Sequence, residues 1–123
     1  MIFFPVYAWF TAALAAGEIV LERHEFYRKQ NYFNRMRIQT ANKVLKLTVP
    51  IVKAKEHTPI VQRKISFAER WEHDQWVSIT SAYRASPYFE YYEDRLRALF
   101  SEPTANLFEQ NLATIEFTLN ALN

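Results

Sequence analysis

Hydrophobic positions change period several times along the chain, and each change predicts an element. Ile2 to Phe4 is a short apolar run closed by Pro5, after which Trp9, Phe10, Ala13 and Leu14 recur at helical spacing as far as Gly17, a residue suited to a helix C-cap. Ile19, Val20 and Leu21 then read as a strand, so the opening predicts β-α-β. Arg23 to Phe33 has no apolar period and predicts an exposed connection. From Arg35 the period becomes two. Met36 and Ile38 alternate with Arg35, Arg37 and Gln39, and beyond Asn42 and Lys43 the residues Leu45, Leu47 and Val49 alternate with Val44, Lys46 and Thr48. That pattern predicts an antiparallel hairpin with one dry face.

Pro50 and the Lys-rich stretch to Pro59 end the hairpin, and Ile60 to Ile65 predicts a further strand. Ser66 and Glu69 fit the S-x-x-E capping box, which predicts a helix starting there with Trp76, Ile79 and Tyr83 on one stripe. Ser86 and Pro87 then predict the N-cap and first position of a second helix bearing Tyr88, Tyr92, Leu96 and Leu99. After Pro103, a third stripe runs through Phe108, Leu112, Ile115, Leu119 and Leu122. The expected fold is α/β, a mixed sheet of four or five strands (β-α-β-β-β) followed by three helices packing on it, within a single domain over residues 1–123.

Composition narrows the function classes. A chain of 123 residues can bury roughly two-thirds of its unfolded surface in one core, and 50% hydrophobic with 23% charged residues excludes intrinsic disorder. Three Trp, seven Tyr and ten Phe beside one glycine predict a stiff aromatic core and leave no material for a Gly-rich phosphate loop. A net charge of +2, with acids and bases interspersed, argues against nucleic acid as partner. Without cysteine there is no disulfide, thiolate metal site or cysteine nucleophile, which fits a reducing compartment. His24, His57 and His73 have no ligand spacing, so no metal is expected, and nothing in the chain requires a cofactor. The first seventeen residues are uncharged, but Pro5 interrupts them and no basic residue precedes them, so a buried strand and helix explain them better than a membrane span or export signal.

The richest candidate chemistry is the segment from Tyr27 to Arg35, which interleaves cations, carboxamides and phenols. In a binding loop Lys29 and Arg35 would neutralise a phosphate or carboxylate, while Gln30 and Asn34 would orient the groups beside it. The competing reading is a solvated loop whose amides stabilise turns and whose tyrosines pack on the core. His24, flanked by Glu22 and Glu25, has the residue type of a general base but reads more simply as an exposed strand end. Glu90, Glu93 and Asp94 read as a solvated, dipole-complementing helix start rather than catalytic carboxylates. Trp71, Trp76, Tyr83, Tyr88, Phe89, Tyr91 and Tyr92 could form a stacking surface, although helical spacing favours core packing for most of them.

Three stretches carry a family resemblance: Glu22 to Arg35 (ERHEFYRKQNYFNR), Leu45 to Ile51 (LKLTVPI), and Trp71 with Ala82 to Tyr92 (AYRASPYFEYY). In this order they resemble the WbqC-like protein family, and Pro5 with Trp9 and Phe10 is similar to its opening segment. The resemblance covers most of the chain. It implies a bacterial, cytoplasmic role in surface-polysaccharide (O-antigen type) biosynthesis, and it marks Tyr27, Lys29, Gln30, Tyr32, Asn34 and Arg35 as ligand-binding positions, with catalytic residues unassigned. Phe33 and Lys43 depart from the family pattern, where a basic residue and a glycine are common. Family members continue beyond this chain's end, which implies an N-terminal part of a longer protein and, through the apolar stripe of the last helix, self-association. The leading expectation is an enzyme or enzyme fragment, of transferase type, acting on an anionic activated small molecule such as a nucleotide sugar. The alternatives are a non-catalytic ligand-binding or assembly module and, against the low charge, a single-strand nucleic-acid binder.

Overall fold

A computed structural model describes residues 3–5, 7–27 and 31–122. The described elements are helix α1 (Tyr7–Ala16), strands β1 (Arg35–Gln39) and β2 (Val44–Thr48), a 3-10 turn (Ile60–Gln62), and helices α2 (Trp71–Tyr83), α3 (Phe89–Ser101) and α4 (Leu107–Leu122). α1 ends as its sequence predicts, with Gly17 at φ 76° and its N–H on the Ala13 carbonyl at 3.2 Å. The hairpin is antiparallel, with Arg35 opposite Thr48 and Gln39 opposite Val44. Its dry face buries Met36, Ile38 and Leu47, and Val49 continues it beyond the strand. Thr40 closes the turn: its hydroxyl donates to the Lys43 carbonyl at 2.7 Å and accepts the Lys43 N–H at 3.1 Å. Neither Ala41 nor Asn42 takes a positive φ, so the turn does not require glycine at position 43.

The sheet is smaller than the sequence predicts. Among the described residues it has two strands with four α-helices around it, which overturns the expected sheet of four or five strands while leaving a mixed α/β chain. Three expected strands fail for different reasons. Of Ile2 to Phe4, Ile2 lies outside the described residues; Phe3 donates one strand-like bond to Tyr32 O, but Phe4 turns to φ 44° and Pro5 has no N–H to continue a ladder. At Ile19 to Leu21 burial alternates, with Val20 88% exposed, yet among the described residues no strand pairs with it; alternation without a neighbouring strand does not make a sheet. At Ile60 to Ile65 the chain first winds into the 3-10 turn behind Pro59, leaving only isolated bridges, Lys64 to Asn106 and Ile65 to Ile51.

Helix starts also shift. α2 begins at Trp71 rather than Ser66, because Ile65 and Ser66 are still donating their N–H groups to Ala105 O and Pro50 O, and the Ser66 hydroxyl accepts only from Ala68 at 3.4 Å. α3 begins at Phe89, preceded by Tyr88 at φ 68°, so Ser86 is not its N-cap; Tyr88 is 78% exposed and Phe89 takes the buried place.

α4 buries apolar residues (Leu107, Phe108, Ile115) and, beside them, Gln110, Asn111 and Thr114, none more than 2% exposed. These polar groups satisfy backbone groups of irregular segments and, at Leu99, a carbonyl of the last turn of α3. Asn111 Nδ2 donates to Phe33 O at 2.7 Å, Gln110 Nε2 to Leu99 O at 2.9 Å, and Thr114 Oγ1 accepts Phe4 N–H at 3.2 Å. At the helix start Asn106 Oδ1 accepts Glu109 N–H at 3.0 Å, as an N-cap does, while its Nδ2 donates to Val61 O at 2.7 Å. Replacing Asn111 by Leu keeps the volume but strands the Phe33 carbonyl, so urea unfolding should show a loss of about 1–3 kcal/mol. An unchanged midpoint would show that this bond does not hold the loop.

Candidate functional site

Residues 23–27 run beside residues 58–61, joined by Val61 N–H to Arg23 O at 3.2 Å, Ile60 N–H to Glu25 O at 2.8 Å and Tyr27 N–H to Thr58 O at 3.3 Å, with a bridge between Phe26 and Pro59. This pairing carries Tyr27 to Arg63, whose guanidinium carbon lies 4.7 Å from the centre of the Tyr27 ring. Phe33 packs on the same ring at 5.9 Å. Arg63 is itself fixed through its backbone, its N–H on Ile60 O at 3.1 Å and its carbonyl accepting Leu107 N–H of α4 at 3.0 Å. Its side chain is only 8% exposed and its Nε has no hydrogen-bond partner.

Asn34 and Arg35 approach from the hairpin. Asn34 exchanges two bonds with Val49, its Nδ2 on Val49 O and its carbonyl on Val49 N–H, both at 2.8 Å, which places it beside the Tyr27 phenol. Arg35 is half-buried, with its Nε unpartnered. Burial pushes the Tyr27 pKa above the usual 10.0, only partly offset by the positive charges of Arg35 and Arg63 and by the Asn34 amide beside it, so the phenol stays a proton donor rather than a base. Tyr27 and Arg63 line a cleft of about 830 Å³ with Ile51, Val52, Lys53, Ala54, Glu56 and His57. Two permanent cations against one carboxylate give it a positive bias.

Of the positions marked in the sequence, Tyr27, Asn34 and Arg35 therefore converge. Tyr32 does not join them: it faces outward, 43% exposed, with the Arg37 guanidinium 5.7 Å from its ring centre. Lys29 and Gln30 lie outside the described residues. Arg63 and Lys53 are new. A signal for Arg63 was present, because period-two reading of residues 60–65 puts it on the same side as Val61 and Ile65, a charge in an apolar row. Core packing, which helical spacing favoured for most of the aromatic residues, holds for Trp71 and Phe89, which are buried, and for Trp76, which packs against Phe89 and Phe100 at 6.4 and 6.0 Å. Among the described residues no three acidic or histidine side chains gather as a metal site would require, and no helix is long and apolar enough to cross a membrane.

The segments that build this site are those of one family. The family model of the WbqC-like protein family matches residues 2–123, essentially the whole chain. The chain belongs to the WbqC-like family. No curated protein and no solved structure matches it. In this WbqC-like chain the family stretch from Glu22 to Arg35 contributes Tyr27, Asn34 and Arg35, and Ile51 of the LKLTVPI stretch forms part of the cleft wall.

The Tyr27 environment predicts a pH effect. Since the folded phenol holds its proton more tightly than the unfolded chain does, its stabilisation is complete below pH 10.0 and is lost as pH rises from there through the higher folded pKa. Stability of the wild type should fall more steeply across that window than that of Tyr27→Phe, measured by urea unfolding in alkaline buffers. Parallel slopes would show that Tyr27 does not titrate differently in the two states.

Proposed function

We propose that this WbqC-like chain binds the anionic part of an activated small molecule, a nucleotide-linked sugar being the class that fits, and takes part in a transfer reaction of surface-polysaccharide biosynthesis on the cytoplasmic side of the membrane. The observation that supports it is Arg63: a guanidinium 8% exposed, stacked on a phenol, its Nε unpartnered, lining a positively biased cleft. Burying a cation costs several kcal/mol unless something pairs with it, and a bidentate phosphate or carboxylate is the natural partner of a guanidinium. Tyr27, kept protonated, offers a further donor. Arg35, with an unpartnered Nε of its own, adds positive potential from the hairpin side.

The ligand-binding residues in this reading are Tyr27, Asn34, Arg35 and Arg63, with Lys29 and Gln30 contributed by the family stretch. Asn34 acts chiefly by holding the hairpin entry and the phenol in place. A thermal-shift panel of nucleotides and nucleotide sugars tests the reading. A true ligand at one hundred times its dissociation constant should stabilise the wild type by about 2.7 kcal/mol, and Arg63→Gln and Arg35→Gln should each remove most of that gain. Turnover of the ligand that stabilises separates transferase from binding module. Stabilisation by no anionic compound, or stabilisation indifferent to Arg63, contradicts the assignment.

A further inference from the structure

We propose that residues 53–57 form a strap that closes over the Arg63 cleft and brings Lys53 onto a second phosphoryl group, so that the site selects a diphosphate over a single phosphate. The inference rests on the anion reading of Arg63 and deepens it: Arg63 holds the anion from the floor of the cleft, and the strap decides how much anion is read.

One segment builds most of the cleft wall. Of the eight lining residues, all but Tyr27 and Arg63 lie between Ile51 and His57. The ends of this segment are pinned to the strips that carry those two residues. At one end Val52 N–H donates to Lys64 O at 2.8 Å and Ile51 bridges Ile65; at the other Thr58 O accepts Tyr27 N–H at 3.3 Å and Pro59 bridges Phe26. Between the anchors residues 53–57 are all exposed. They are held by the Thr58 hydroxyl on the Lys55 carbonyl and by the His57 ring, 5.3 Å from that of Phe26, itself 54% exposed. A segment with fixed ends and so few interior contacts moves at low cost. His57 stands at φ 63°, a left-handed conformation strained for a residue other than glycine, and a swing at this position relieves it.

The two cations of the cleft have opposite mechanical characters. Arg63 is buried, stacked on the Tyr27 ring and held through its backbone to Ile60 and Leu107, so its guanidinium stays where it is and grips one phosphoryl or carboxylate with its planar fork. Lys53 is exposed on the strap and carries a point charge on a flexible stem, able to follow a ligand. A single phosphate or a carboxylate is satisfied by the fork alone. A second phosphoryl, one P–O–P bridge further out, lies beyond a fixed guanidinium and needs a cation from the opposite wall. The volume of about 830 Å³ leaves room for both groups and whatever they are attached to. Glu56, the carboxylate of the lining, repels an anion from the outer end of the strap and favours the Lys53 end.

The test titrates the full chain with inorganic phosphate and with pyrophosphate by calorimetry, and follows hydrogen exchange of the peptide spanning residues 51–59 by mass spectrometry at saturation with each. The wild type should bind pyrophosphate ~tenfold more tightly than phosphate, the gain of one charge-assisted contact, and exchange in the strap should slow with pyrophosphate alone. Lys53→Gln should collapse that preference. Lys55→Gln, on the same strap but outside the lining, should keep it, which separates a specific contact from a general effect of charge. A preference that survives Lys53→Gln, one lost equally in Lys55→Gln, or a strap whose exchange ignores pyrophosphate overturns the strap while binding that depends on Arg63 still stands. Binding of neither anion overturns both.

Discussion

The inner face of α4 is the constraint on which the rest of the molecule depends. Among the described residues the sheet has two strands, and the irregular segments between the helices must satisfy their buried N–H and C=O groups elsewhere. α4 does this with side chains. Asn106, Gln110, Asn111 and Thr114 reach Val61, Leu99, Phe33 and Phe4, residues that lie far apart in sequence and outside both strands. Each of these buried side chains makes a bond to a distant backbone group, although Asn111 Oδ1 itself has no partner, and those bonds fix which segments lie side by side.

The functional geometry inherits that constraint. Phe33, held by Asn111, immediately precedes Asn34 and Arg35, and the Arg63 carbonyl is held by the first N–H of α4. One helix thus sets the separation between the hairpin entry and the segment after the 3-10 turn, and with it the approach of Arg35 and Arg63 to Tyr27. Preorganisation of this kind keeps a buried cation in place before any ligand arrives.

Period-two alternation made the hairpin legible almost residue by residue, and the helix stripes of α1, α2 and α4 were legible in kind. Those signals are local. The missing strands show where locality ends: Ile19 to Leu21 has the composition and even the burial rhythm of a strand, but a strand needs a neighbour, and which segments become neighbours is decided by α4 and its amides. The apolar stripe of α4 hid that role, since Gln110, Asn111 and Thr114 look like ordinary polar positions until they are found buried. The same holds for the site. Tyr27, Asn34 and Arg35 stood out in an amide-rich, basic segment, whereas Arg63, some thirty residues away in sequence, was visible only as a charge out of place in an apolar row.

The central claim is that the Arg63 guanidinium is built to receive an external anion. Its Nε–H resonance, observed by 15N NMR with arginine-selective labelling and assigned with Arg63→Gln, tests this directly on addition of pyrophosphate. The account predicts a saturable shift and slowed hydrogen exchange at that nitrogen, competed away by a nucleotide sugar that stabilises the protein. A resonance that pyrophosphate and nucleotide sugars leave unmoved would mean that Arg63 serves the packing of Tyr27 alone, and the anion site would fall with it.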